Sequence, residues 1–196
     1  MAKKDIILSG VGGQGILSIA TVIGWAALDQ NLHLKQAEVH GMSQRGGDVQ
    51  SNLRISTERI WSDLIPKGEC DLILSLEPME ALRYLPWLSK GGWIVTNSTP
   101  FVNIPNYPPV EEITAELQKI DNVITLDCDE IAKQTGSPRS ANMVLLGASA
   151  AVLEILDPEK LREGITNVFS RKGEKIIEMN IAAFNAGLDV SKNFSK

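Results

Sequence analysis

Along this chain the spacing of apolar residues switches repeatedly between the two-residue period of strands and the roughly 3.6-residue period of helices, and each switch marks an expected element. Asp5 to Ser9 is a short apolar run that reads as a buried strand. Gly10 to Gly15 is a turn, and from Gln14 to Leu28 the residues Ile16, Ile19, Ala20, Ile23 and Ala27 share one helical face. His33 to Val39 is extended, His40 to Gly47 a loop, and Asp48 to Ser56 sets Val49, Ser51, Leu53 and Ile55 on one side of a strand. The polar side of that strand is expected to face solvent. Asp71 to Leu76 is another apolar run, and Glu77-Pro78 opens a brief helix, since proline suits a first helical turn. A strand over Trp93 to Asn97, a proline-rich loop over Ser98 to Pro109, a helix over Glu111 to Lys119 and a strand over Val123 to Leu126 follow. Beyond these, Ala141 to Ile155 is apolar nearly all round, as a buried helix would be. Asp157-Pro158-Glu159 carries the signature of a new helix start, and Ile177, Ile181, Phe184 and Leu188 form a last helical stripe.

Strands alternating with helices predict a single-domain, Rossmann-like α/β fold with a mainly parallel sheet, helices on both faces and a helical C-terminal third. The 196 residues, 43% of them apolar, suffice for one core, with the domain expected over residues 1–190 and a flexible tail over 191–196. A formal charge of -5 argues against a partner made of nucleic acid. No apolar run reaches membrane-spanning length, so no membrane partner and a cytoplasmic location are expected. Cys70 and Cys128 are the two cysteines, far apart and each in or beside an apolar run, so both read as buried structural thiols. Two thiols cannot ligate an iron–sulfur cluster of the usual kind within this chain.

Gly10-Val11-Gly12-Gly13-Gln14-Gly15 has the spacing G-x-G-x-x-G between an expected strand and an expected helix. Glycines there allow the tight turn, let a phosphate approach backbone N–H groups and permit close helix-on-strand packing, while the helix N-terminus adds partial positive charge. A dinucleotide site also wants an acid about twenty residues on. Asp29 falls at a helix end and Glu38 comes late. The motif therefore points to an anion more than to NAD, and glycines serving packing alone remain the alternative.

A second small-residue stretch, Glu38-Val-His40-Gly-Met-Ser43-Gln44-Arg45-Gly46-Gly47, offers backbone donors and one guanidinium to a phosphate or carboxylate, or is simply a tight turn with a solvated arginine. Taken together with Gly10 to Leu17, it resembles the gamma-type domain of the 2-oxoacid:ferredoxin oxidoreductases, in the form seen in the indolepyruvate-specific branch. The resemblance extends through Leu74-Ser-Leu-Glu-Pro78 and Asn180-Ile-Ala-Ala-Phe-Asn-Ala-Gly187.

The resemblance implies a small subunit, inactive alone, of an enzyme that oxidatively decarboxylates an aryl 2-oxoacid to an acyl-coenzyme A and reduces ferredoxin. Thiamine diphosphate and the Fe-S clusters would then belong to a large alpha subunit, and ferredoxin would be reached through the complex. This chain would contribute to coenzyme A handling. Gly10, Gly12, Gly13, Gln14 and Gly15 would form one phosphate-facing loop and Ser43, Gln44, Arg45, Gly46 and Gly47 the second, with Arg45 as the charged contact. Asn142 could present an amide to the ligand or act with Ser140 as a helix cap. No catalytic residue and no metal ligand is assigned. His33 has no partner at metal-ligand spacing, His40 reads as a structural or interface residue, and Trp25, Trp61, Trp87 and Trp93 read as packing groups. Two other classes stay open: a freestanding nicotinamide- or flavin-binding oxidoreductase, and a non-enzymatic nucleotide-binding scaffold.

Overall fold

A computed structural model describes residues 2–40 and 46–192. Its strands are β1 (Lys3–Val11), β2 (His33–His40), β3 (Asp48–Ser56), β4 (Cys70–Ser75), β5 (Leu88–Asn97) and β6 (Val123–Leu126). The helices are α1 (Ile16–Asp29), α2 (Pro78–Arg83), α3 (Val110–Leu117), α4 (Cys128–Gln134), α5 (Ala141–Leu153), α6 (Pro158–Phe169) and α7 (Glu174–Ser191). The sheet runs β2-β3-β1-β4-β5-β6. β1, β4, β5 and β6 pair in parallel, whereas β3 is antiparallel to both β1 and β2. The mainly parallel sheet expected from the sequence is thus a mixed one, with a hairpin partner inserted between the first two parallel strands.

β1 shows why the central strands read as continuous apolar runs. Ile6 and Leu8 face the larger core, formed with α1, α5, α6 and α7, while Ile7 joins Ile73, Ile94, Ala81, Ile113 and Leu117 beneath α2 and α3. Both faces are covered, so neither needs polar residues. α5 lies in the larger core with Met143, Val144, Leu145 and Leu146 fully buried. It crosses α7 at Gly147 and Gly187, where the two backbones touch: a Cβ on Gly187 would overlap the Val144 carbonyl, and one on Gly147 the Phe184 carbonyl. Asp157 caps α6 through the Glu159 N–H at 2.8 Å, as its sequence signature predicts.

Three features depart from the sequence reading. α4 begins at Cys128, directly after β6, in a stretch with too short a periodic pattern to announce a helix. α7 reaches Ser191, whose hydroxyl donates to the Leu188 carbonyl at 2.7 Å. The polar side of β3 is covered rather than solvated. Arg54 forks onto the buried Asp5 carboxylate at 2.8 and 3.1 Å and also donates to the carbonyls of Ser62 and Leu64. Asn52, 4% exposed, accepts from the Ile65 N–H at 3.4 Å. The segment after β3 folds back over these groups, and Asn52 and Arg54 tolerate the cover because both are paired.

Candidate functional site

Parallel strands of an open α/β sheet direct their carboxyl ends to one edge, where the connecting loops build ligand sites. β1 ends there at Val11, and Gly12 to Gly15 leads into α1. Gly15 has φ of 90° and Gly13 of 107°, a region an L side chain rarely adopts, so only glycine makes this entry without strain. α1 has no acidic residue in its first turn, leaving the positive end of a 14-residue helix uncompensated.

The second glycine turn lies against the first. Gly12 donates its N–H to the Gly47 carbonyl at 2.8 Å, and Gly46 returns a bond to the Gly12 carbonyl at 3.4 Å. Of the positions expected in the second turn, Ser43, Gln44 and Arg45 lie outside the described residues, as does the His40 side chain. Gly46 and Gly47 are brought to the first turn.

Each residue of the first motif has a distinct job. Gln14 is a brace: its Oε1 accepts from the Val11 N–H at 2.7 Å and its Nε2 donates to the Leu76 carbonyl at 3.1 Å, tying the turn to the end of β4. Gly10 makes room for it, since a Cβ there would stand 2.8 Å from Gln14 Oε1. Asn142 is a strut from the start of α5, with Nδ2 donating to the Gly15 carbonyl at 3.2 Å and Oδ1 accepting from the Met143 N–H. It is 6% exposed and its amide is spent on these bonds. Gly12 and Gln14 likewise spend their N–H groups internally. The amides of Gly13, Gly15, Ile16 and Leu17 are left with no acceptor among the described residues, and all four residues line a cavity of about 430 Å³ together with Val11 and Val49. That cavity offers backbone donors at a helix N-terminus for an anion and an aliphatic wall for the apolar part of the same ligand.

The dinucleotide alternative loses its geometric basis here. Asp29 pairs with Lys160 at 2.8 Å at the far end of α1. Glu38 is on β2, and β3 separates β2 from β1, adding one strand spacing of about 4.8 Å between the glycine turn and any acid on the second strand. His33 is exposed on the same edge strand.

Residues that sequence reasoning missed complete the surround. Glu77, wholly buried, follows β4 and caps α2 by accepting from the Glu80 N–H at 2.8 Å. Its other oxygen accepts from the Phe101 N–H at 3.4 Å and, in a short bond, from the Tyr107 hydroxyl. Burial and then that carboxylate push the Tyr107 hydroxyl far above its ordinary pKa, keeping it a donor. Burial raises Glu80 too, against the opposing pull of Arg83 at 2.8 Å. The loop between β5 and α3 is thereby pinned, and from it Asn103 reaches the Gly46 carbonyl at 2.5 Å. Glu77-Pro78 was legible as a helix start, but nothing local announced its grip on a loop two dozen residues later. Cys70 and Cys128 are both fully buried, at opposite ends of the sheet, and burial pushes the Cys70 thiol up to about 12 and Cys128 well up. Such thiols do not fit iron–sulfur ligation.

Residues 5–190 match the family model described as pyruvate ferredoxin/flavodoxin oxidoreductase. Indolepyruvate oxidoreductase subunit IorB of Pyrococcus horikoshii is 35% identical over 201 residues, covering 98% of this chain and 98% of that protein. Ketoisovalerate oxidoreductase subunit VorA of Methanothermobacter thermautotrophicus is 31% identical over 93% of this chain, which corresponds to 35% of VorA. Among solved structures, 2-oxoglutarate:ferredoxin oxidoreductase from Magnetococcus marinus, with 2-oxoglutarate, coenzyme A and succinyl-CoA bound, superposes with a TM-score of 0.77 at 24% identity, over 98% of this chain and 32% of that one.

Proposed function

This chain belongs to the pyruvate ferredoxin/flavodoxin oxidoreductase family, and from that premise we propose that it is the small subunit of an indolepyruvate:ferredoxin oxidoreductase and holds coenzyme A at its paired glycine turns. The reaction takes an aryl 2-oxoacid, coenzyme A and oxidised ferredoxin to an acyl-coenzyme A, carbon dioxide and reduced ferredoxin. Thiamine diphosphate and iron–sulfur clusters, carried by a large subunit, supply decarboxylation and electron transfer. The two cysteines of this chain, buried and protonated, leave the clusters to that partner.

The observation that carries the coenzyme A reading is the reciprocal pair of backbone bonds between Gly12 and Gly46-Gly47. It holds two turns rich in small residues edge to edge beside free amides and a helix N-terminus, an arrangement that receives phosphate. The Magnetococcus enzyme speaks for the fold at its level of identity, so this reading stands on the turns themselves. The aliphatic wall of Val11, Ile16, Leu17 and Val49 then suits the pantetheine arm. Substrate choice follows the full-length similarity to IorB.

The test is co-expression with the large subunit, followed by viologen reduction with indolepyruvate and coenzyme A. The expected result is activity in the complex, none in the chain alone, and dependence on coenzyme A. A stable complex that leaves indolepyruvate and other aryl 2-oxoacids untouched would refute the substrate. A complex indifferent to coenzyme A, or tight NAD(H) binding by the chain alone, would refute the reading of the turns.

A further inference from the structure

Between Ser98 and Val110 the chain has no charged side chain, although 22% of all residues are charged. A surface loop ordinarily has polar and charged residues, because its side chains face water. Here Phe101 is 44%, Val102 66% and Ile104 38% exposed.

The loop is also held rigidly. Pro100, Pro105, Pro108 and Pro109 restrict its backbone. The Glu77 carboxylate accepts from the Phe101 N–H and the Tyr107 hydroxyl, gripping the apolar stretch at both ends. At its base the Thr99 hydroxyl donates to Asp127 at 3.2 Å. In its middle, Asn103 donates to the Gly46 carbonyl. A fully buried carboxylate is a costly group to keep, and here it fixes three large apolar side chains in water. In an isolated chain the exposure of those three side chains stabilises nothing. As a docking ridge it is preorganised, so little conformational freedom is lost when a partner covers it. Depletion of charge is likewise the mark of an interface core.

Position points the same way. Leu17, Val39, Phe101, Val102 and Ile104 are exposed at the carboxyl edge of the sheet, around the glycine turns, while Leu28, Trp61 and Leu64 lie at the opposite end. Asn103, in the middle of the ridge, touches Gly46, which in turn touches Gly12. A body seated on the ridge therefore borders the cavity.

The relatives say what kind of body that is. In VorA the counterpart of this domain is 35% of a longer polypeptide, whereas in IorB it is 98% of the protein. The large subunit of the proposed complex is the body that supplies here what VorA carries in the same chain.

We propose that the Phe101–Val102–Ile104 ridge is the seat of the large subunit, whose docking walls in the cavity beside the glycine turns. This rests on the subunit reading above. The partner surface is apolar and concave enough to receive three adjacent side chains, with hydrogen-bond acceptors and donors only at its rim.

The experiment measures the affinity of the full chain for the large subunit. Val102→Asp is compared with Leu64→Asp, which is 57% exposed at the opposite end of the sheet, and thermal melts establish that both variants fold. Val102→Asp is expected to weaken the complex at least tenfold and Leu64→Asp less than twofold. A folded Val102→Asp variant that binds as tightly as the wild type would overturn the ridge and leave the subunit reading standing. So would equal weakening by Leu64→Asp, or a dimer of this chain alone that Val102→Asp dissociates. Absence of any complex with the wild-type chain would overturn both.

Discussion

Replacing Gly187 by alanine opposes two well-measured effects, and the structure decides between them. Alanine in a helix interior is favoured over glycine by about 1 kcal/mol, so in an exposed helix the substitution would stabilise. At Gly187 the new Cβ would fall far inside van der Waals contact distance of the Val144 carbonyl oxygen, and within 2.9 Å of the Ala148 nitrogen. Both atoms are backbone of α5, a helix buried almost all round, so no side-chain rotation can relieve the overlap. The helices must separate, opening voids among Val144, Phe184 and their neighbours. Overpacking of a dense core costs about 1–3 kcal/mol and more where backbone must move. Taking about 3 kcal/mol and subtracting the propensity gain leaves a net loss of about 2 kcal/mol. In a domain of this size that lowers Tm by about 4–8 °C. Thermal and urea denaturation of Gly187→Ala, with Gly164→Ala as reference, reads this directly. Gly164 is also helical, but its nearest atoms to an added Cβ are the Val22 carbonyl at 3.0 Å and the edge of the Trp25 ring at 3.3 Å, so its two effects nearly cancel. A Gly187→Ala protein as stable as the wild type, or more so, would show that the two helices do not cross in backbone contact.

Three further outcomes follow from the site and the core. Leu17→Glu adds a carboxylate at the N-terminus of α1, where it suits the helix dipole and leaves the fold intact, but it competes with an anionic ligand. The KM for coenzyme A of the complex is expected to rise about tenfold, equivalent to about 1.4 kcal/mol, while Leu17→Gln changes it little; an unchanged KM would move the ligand away from this turn. Arg54→Met leaves the Asp5 carboxylate, which is 2% exposed, with Lys3 at 3.2 Å as its remaining cation; urea denaturation is expected to show a loss of about 3 kcal/mol, with the double change Asp5→Asn plus Arg54→Met losing less. Stability is expected to fall as pH rises above about 8.5, because the unfolded thiols ionise near there while burial keeps the Cys70 thiol and the Tyr84 hydroxyl protonated to about 12. Neither cysteine should react with a thiol reagent at pH 8 in the native protein, and rapid labelling without denaturant would contradict this burial.

What the sequence disclosed and what it withheld divide along physical lines. β4, β6, the ends of β3 and the entry to α6 were legible because each depends on local pattern: apolar runs of strand length, or an Asp-Pro-Glu start. The same holds for α5, whose apolar circumference can exist only inside a core. The insertion of β3 between β1 and β2 was not legible, since hydrogen-bond partners across strands leave no mark on either strand's own periodicity. The polar face of β3 was misjudged for a related reason. Asn52 and Arg54 look like solvent-facing residues until a segment ten positions later supplies their partners. At the site, the motif located the turn but could not divide labour within it. Gly13 and Gly15 line the cavity, Gln14 is a brace and Asn142 a strut. Glu77 was legible only as a helix start and Asn103 not at all, because their hold on the loop lies in contacts 24 and 57 residues away.

The strand insertion also gives this glycine pattern surroundings unlike those it has in dinucleotide enzymes. In a doubly wound fold the second strand adjoins the first, and its terminal acid faces the glycine turn across one strand spacing. Here that place is taken by β3, which runs the opposite way and so brings its beginning to the glycine turn: Asp48 pairs with Val11, and Gly47, just before it, accepts from the Gly12 N–H. A second glycine turn is therefore delivered where a dinucleotide enzyme has the end of its second strand. What stands opposite the glycine motif thus follows from the direction of one strand rather than from the motif itself.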